Sequence, residues 1–277
     1  MSLDDKAWCE IEYNPRLSIS DAADYGPKWT GWAENTRKNT PHLSNVAYGD
    51  HPREIMDVFS VKDAKGAVIF IHGGYWRSFS KDVFSWSAEA LNQYGMTVAV
   101  INYPLCPEVT VADIVVSCRK AISKLWHDIL TPVEKSNLIV TGHSAGGYLT
   151  AAMFATDWTL FNMPITPFKG GVPISGVFDI QPLINTTINE QVRLTEESAA
   201  ALNLLAQKPL VQAPFIPLYG ALESSEFRRQ SEAIAKLWPL SEPAIGFADR
   251  HHLNVVEGVN EPGSPLFEAL MRLAARA

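Results

Sequence analysis

A chain of 277 residues, 47% of them apolar, is long enough to bury one large core, and a single domain is the default reading. The net charge of -7, without any run of Lys and Arg, excludes the electrostatic footprint of a nucleic-acid or anionic-membrane binder and points to a small neutral or cationic substrate. Apolar runs well short of the roughly 20 residues that cross a bilayer, an acidic start from Met1 to Lys6 unlike a secretory leader, and an odd set of cysteines (Cys9, Cys106, Cys118) without C-x-x-C spacing together set three expectations: no membrane span, cytoplasmic residence, and reduced structural thiols with no zinc site.

The first fifty residues carry Tyr13-Asn14-Pro15-Arg16, Trp29 and Trp32 in a polar segment without clean periodicity, and are expected to wrap the domain or line a pocket mouth. From Ala67 to Ile71 runs a β-rich apolar stretch that ends in His72-Gly73-Gly74, the pattern of a buried strand breaking into a glycine turn. Thr97 to Ile101 is a second such strand, and between the two Phe84, Ala88, Leu91 and Tyr94 have the spacing of a helix face, which makes a β-α-β unit. The alternation continues with a helix over 111–129, a strand over 137–140, a helix over 145–155 and a strand over 171–174. A strand over 215–218 and helices over 227–237 and 265–275 complete it. This order predicts an α/β fold, specifically an α/β-hydrolase fold with a mainly parallel central sheet flanked by helices. Residues 181–208 interrupt the pattern without a strand and read as a small helical cap or lid. No internal repeat or low-complexity tract occurs.

The strongest chemical signal is Gly142-His143-Ser144-Ala145-Gly146, which follows a predicted strand and opens a predicted helix, the context a G-x-S-x-G nucleophile turn requires. Glycines on both sides of the serine are expected to allow a sharp turn that lifts the hydroxyl of Ser144 above the sheet. A serine hydroxyl needs a base, and in this fold the chain order is serine, acid, histidine. Only His251 and His252 follow the last predicted strand. His252 is preferred, because Leu253 and Val255-Val256 behind it can anchor the loop; His251 is the alternative. The acid belongs just after the strand at 215–218, where Tyr219-Gly220-Ala221-Leu222-Glu223 offers Glu223, with Glu226 as runner-up and Asp179 as a more distant third. Its work would be to hold the histidine tautomer and stabilise the imidazolium.

A tetrahedral intermediate needs N–H donors for its oxyanion, and Gly73, Gly74 and Tyr75, at the end of the first strand, can supply them beside Ala145. Tyr75 and Trp76 are candidate walls for an aryl substrate, whereas Trp86 and Trp158 read as core. No H-E-x-x-H or similar pair indicates a metal, and no motif indicates a cofactor.

Taken together, His72-Gly73-Gly74-Tyr75-Trp76, the later Asn102-Tyr103-Pro104-Leu105-Cys106-Pro107-Glu108, the GHSAGG turn and the segment from Gly220 to Phe227 resemble the kynurenine formamidases (arylformamidases) and their esterase relatives. The x-W ending of the glycine turn is the most specific of these, since esterases of the hormone-sensitive lipase type usually have a third glycine where Tyr75 stands. The resemblance runs from Tyr13-Asn14-Pro15-Arg16 to the last histidine loop. It implies hydrolysis of N-formyl-L-kynurenine to kynurenine and formate through a formyl-serine intermediate, in tryptophan breakdown, with a homodimer expected by analogy alone. The alternative is a carboxylesterase of short acyl or aryl esters. The chain departs from the family at His251-His252-Leu253-Asn254, where an N-H-F-D-like context is usual, and at Glu223, where many relatives have aspartate.

Overall fold

The computed structural model describes residues 5–276; residues 1–4 of the expected wrapping segment and Ala277 lie outside the described residues. In chain order the elements are α1 (Lys6–Tyr13), α2 (Ala22–Asn39), β1 (Leu43–Ala47), β2 (Ile55–Phe59), β3 (Gly66–Ile71), α3 (Lys81–Phe84), α4 (Glu89–Gln93), β4 (Met96–Ile101), α5 (Val111–Asp128), α6 (Pro132–Ser136), β5 (Leu138–His143), α7 (Ala145–Phe154), β6 (Gly170–Ile174), α8 (Asn189–Val192), α9 (Glu196–Ala201), β7 (Leu218–Gly220), α10 (Ser225–Leu237), β8 (Ile245–Phe247) and α11 (Pro265–Ala274). The strands form one eight-stranded sheet in the order β1-β2-β4-β3-β5-β6-β7-β8. The β1–β2 and β2–β4 pairings are antiparallel, and all the others are parallel.

Strands β3, β4 and β5 are buried at every residue, which is why they read as unbroken apolar runs. Alternate side chains serve opposite faces of the sheet. Ala67, Ile69 and Ile71 enter one core with Val140, Leu149 and Phe154, and Val68 and Phe70 enter the other with Val98 and Leu270. A core on each face holds the centre of the sheet rigid, and the carboxyl ends of β3, β5 and β7 all feed turns that carry candidate chemistry.

Three short strands, β1, β2 and β8, were not expected; two of them lie at the sheet edges, where partial exposure blurs the apolar pattern. The strand expected at 215–218 is displaced. Regular pairing covers Leu218–Gly220, and Phe215 makes only isolated bridges to Gly171 and Ser241, because Pro214 and Pro217 have no N–H to donate to a ladder. The helix expected at 84–94 is split into α3, a 3-10 turn over Ser85–Ala88, and α4. In the first fifty residues, α2 places Tyr25, Trp29, Ala33 and Thr36 on one buried stripe despite Pro27 within it. All three cysteines are buried, and burial pushes the Cys106 thiol up to about 11, so it stays protonated. No helix among the described residues is long and apolar enough to cross a membrane.

Candidate active site

Ser144 is the single residue between β5 and α7, and its backbone sits at φ 56°, ψ −115°, a strained conformation for a residue with a Cβ. Its amide donates to the Ile174 carbonyl at 2.8 Å, and its carbonyl accepts from Tyr148 N–H at 3.0 Å, which holds the turn from both sides. The flanking glycines serve differently from the expectation. The positive φ is carried by the serine itself, whereas Gly146 is required by close approach: a Cβ there would lie 2.0 Å from the Ile71 carbonyl oxygen, and one at Gly142 would lie 2.4 Å from the Gly146 oxygen. Ser144 thus stands directly before the first amides of α7, which have no preceding turn to bond.

The turn after β3 is pressed against this serine. A Cβ on Gly73 would lie 2.7 Å from the His143 oxygen and 3.2 Å from the Ser144 Cβ, so only glycine lets the two turns meet. Gly74, Tyr75 and Trp76 follow with φ of 110°, 48° and 55°, three positive values in succession. The turn is held by its carbonyls: Gly73 O accepts from His72 Nδ1 at 2.8 Å, Gly74 O from Arg77 and Ser78 N–H, and Trp76 O from Cys106 N–H at 2.8 Å. Tyr75 is also tied from its far end, where its hydroxyl donates to the Tyr13 carbonyl at the end of α1.

His252 lies on the loop after β8, 3% exposed, with its ring against Phe227 (4.3 Å between centroids) and His143 (4.9 Å). Its Nδ1 is 2.9 Å from Glu223 Oε2. A carboxylate can only accept, so Nδ1 is the donor, and in the neutral ring the lone pair is on Nε2. His143 Nε2–H donates to the His252 carbonyl at 2.7 Å, and burial drives the His143 pKa well below its usual value, which keeps that ring neutral and the donor role single. His251 faces elsewhere: Nε2 meets the Tyr25 hydroxyl at 3.2 Å and Nδ1 accepts from Leu253 N–H at 3.2 Å.

Glu223 follows β7, and its loop is zipped to the histidine loop by Leu222 N–H on Arg250 O and Ala221 N–H on Phe247 O, each 2.9 Å. Its side chain is fully buried and accepts three hydrogen bonds, from His252, from Gly220 N–H at 2.6 Å and from Ser175 Oγ at 2.5 Å. The other carboxylates considered are committed elsewhere. Glu226 takes both arms of Arg229 at 2.7 Å and the Tyr13 hydroxyl, and Asp179 caps Gln181 N–H at 3.2 Å.

Ser144 and His252 line one cavity of about 770 Å³, together with Gly73, Gly74 and Tyr75. Tyr25, Trp29 and Phe79 give it aromatic walls, and Ile188 and Gln191 come from the 181–208 segment, which forms a 3-10 turn followed by α8 and α9. Trp76 requires a correction: expected as a pocket wall, it is completely buried against Tyr148, with ring centroids 5.2 Å apart, and does not reach the cavity. Trp86 and Trp158 are core residues, as expected. Sequence reasoning did not single out Ser175, which steadies Glu223, or Phe79 among the walls. The sign of Tyr25 was its four-residue spacing to Trp29, which the sequence already marks for the domain wrap or the pocket mouth. No group of His, Cys, Asp or Glu among the described residues is arranged to hold a metal.

The strand-turn-helix serine, the buried acid after a later strand and the final histidine loop are the arrangement of a hydrolase. The sequence pattern of the α/β-hydrolase fold matches residues 68–247, more than half of the chain, and the protein belongs to that family and is an enzyme of the hydrolase class. Among relatives, it is 29% identical to the kynurenine formamidase of Danio rerio over 96% of this chain and 93% of that one, and 28% identical to the kynurenine formamidase of Salmo salar over 88% and 86%. Among solved structures, a protein of Silicibacter sp. TM1040 with a provisional thioesterase assignment superposes with a TM-score of 0.84 at 29% identity, covering 95% of this chain and 98% of that one. An esterase of Pyrobaculum calidifontis shares the fold with a TM-score of 0.66 at 18% identity, covering 92% and 91%.

Proposed function

We propose that the protein is a serine hydrolase with a Ser144-His252-Glu223 triad whose substrate is an aryl formamide, N-formyl-L-kynurenine or a close analogue. The observation that carries the mechanism is the buried Glu223–His252 pair, whose neutral ring has Nε2 as its acceptor, in the cavity that the strained serine also lines. Similarity to kynurenine formamidases along almost the whole chain, and aromatic cavity walls, support the substrate.

In this reading Ser144 Oγ attacks the formyl carbon while His252 Nε2 takes its proton, and Glu223 stabilises the imidazolium. The oxyanion is held by Ala145 N–H and by amides of Gly73, Gly74 and Tyr75, whose fixed dipoles need no reorganisation as charge develops. Collapse of the intermediate breaks the C–N bond as His252 returns its proton to the arylamine nitrogen. The arylamine leaves, and a formyl ester remains on Ser144. Water then gives a proton to His252 and attacks that ester, and formate departs as the proton returns to Ser144. The segment 181–208 acts as a cap that contributes Ile188 and Gln191 to the cavity. Acid quenching during turnover, followed by peptide mass spectrometry, should find a formyl ester on Ser144, and a formylated residue elsewhere would refute the assignment. Carboxylesterase activity on short aryl esters is the second reading, favoured by similarity to isoprenylcysteine α-carbonyl methylesterases over about half the chain.

A further inference from the structure

The acidity of the whole chain does not extend to its reactive cavity. Among the side chains that line the cavity, the ones with a fixed charge are Arg16 and Arg77, and no Asp or Glu is among them. Each comes from a different part of the chain: Arg16 from the 3-10 turn Pro15–Leu17, Arg77 from the turn after Trp76. Other arginines of the protein, such as Arg229, Arg250 and Arg272, are paired with carboxylates. Arg16 and Arg77 have no ion-pair partner among the described residues; Arg16 is exposed, and Arg77 is half-buried and donates to Gln191 Oε1 at 3.0 Å. Glu10 feels the Arg77 charge, but its carboxylate is bound by Thr187 and Asn14 and it does not line the cavity.

We infer that Arg16 and Arg77 form an anion subsite that takes a carboxylate on the substrate and so selects aromatic acyl compounds with an acidic side chain over neutral ones. This rests on the acyl-serine reading, which puts the scissile carbonyl at Ser144 in the same cavity. A guanidinium offers a planar fork of donors to a carboxylate, and one that is partly desolvated interacts more strongly than an exposed one. The subsite also gives a purpose to Tyr13-Asn14-Pro15-Arg16: Tyr13 ties the segment to Tyr75 through its carbonyl, while Asn14, Pro15 and Arg16 line the cavity. It refines the expectation drawn from net charge, because net charge averages the whole surface whereas a bound molecule meets the local field.

The test uses two matched pairs on the full-length enzyme: formanilide against a formanilide with a short carboxylate side chain, and phenyl acetate against its carboxylate-bearing counterpart. The wild type should favour the charged member of at least one pair by kcat/KM. In Arg16→Gln and Arg77→Gln that preference should fall roughly tenfold, with Arg77→Lys recovering part of it. Loss of the preference in the variants reads the subsite whatever their stability, since both members of a pair report on the same folded enzyme. Equal turnover of charged and neutral members by the wild type, or a preference untouched by either variant, would overturn the subsite. If only the esters turn over and the charged ester is preferred, the subsite stands and the formamidase reading falls. If formanilides turn over without charge preference, the reverse holds.

Discussion

Replacing Glu223 by Gln changes one atom in kind but hardly in size, and the hydrogen-bond geometry sets the consequence. The carboxylate accepts from three donors, Ser175 Oγ, Gly220 N–H and His252 Nδ1–H. An amide has one oxygen, and the two fixed donors, Ser175 and the backbone N–H, share the same carboxylate oxygen, Oε1. The amide oxygen is therefore held there, and its NH2 faces His252, which must present Nδ1 as an acceptor and move its proton to Nε2. A histidine protonated at Nε2 cannot take the serine proton. Loss of the correct tautomer costs kcat roughly 10⁴-fold, about 5 kcal/mol of transition-state stabilisation. Steady-state kinetics with a chromogenic aryl ester, beside thermal unfolding, checks it: activity should collapse while unfolding changes little. The paired variant Glu226→Gln should do the opposite, losing stability through Tyr13 and Arg229 while keeping most of its kcat. Glu223→Gln within tenfold of the wild type would refute the reasoning.

Other expectations follow from the same geometry. Tyr75→Phe removes the hydroxyl that holds the glycine turn to the Tyr13 carbonyl, and about a tenfold fall in kcat with a smaller change in KM is expected; an unchanged kcat would dissociate that contact from catalysis. In Gly146→Ala the new Cβ meets the Ile71 carbonyl oxygen at 2.0 Å, backbone against backbone, so urea denaturation should give a loss of about 3 kcal/mol or more. His72 is wholly buried and burial lowers its pKa to about 4, below the roughly 6.5 of an unfolded histidine. The unfolded chain then binds a proton that the folded one refuses, so stability falls as pH drops from about 6.5 towards 4, by about 3 kcal/mol for this group. His72→Gln should flatten that slope in chemical denaturation at stepped pH, and an identical slope in both proteins would contradict the assignment.

The central strands were legible because burial on both faces leaves an unbroken apolar run that needs no periodicity to be recognised, as at Val68 to Ile71 and Val98 to Ile101. What failed was local. Edge strands β1 and β8 are short and partly exposed, and the prolines near Phe215 shifted β7 by removing donors that a composition reading does not weigh. Ser144, His252 and Glu223 were readable as candidates because chain order restricts them, and the structure brings His252 and Glu223 together. The cavity walls were legible only in part: Tyr75 and Trp29 line the cavity, whereas Trp76 is buried outside it. Whether Trp76 or Trp29 reaches the cavity depends on the backbone turn at 74–76 and on the way α2 packs, both of which join residues far apart in sequence. The cations of the cavity were not legible for the same reason, since Arg16 and Arg77 reach one cavity lining only through the fold.

The measurement closest to the central claim is kcat/KM of the purified enzyme on N-formyl-L-kynurenine beside p-nitrophenyl acetate, with Ser144→Ala as control. The account requires a clear preference for the formamide and a loss of several orders of magnitude on both substrates in the variant. Ester turnover with negligible deformylation would contradict the substrate assignment, and substantial activity in Ser144→Ala would contradict the mechanism.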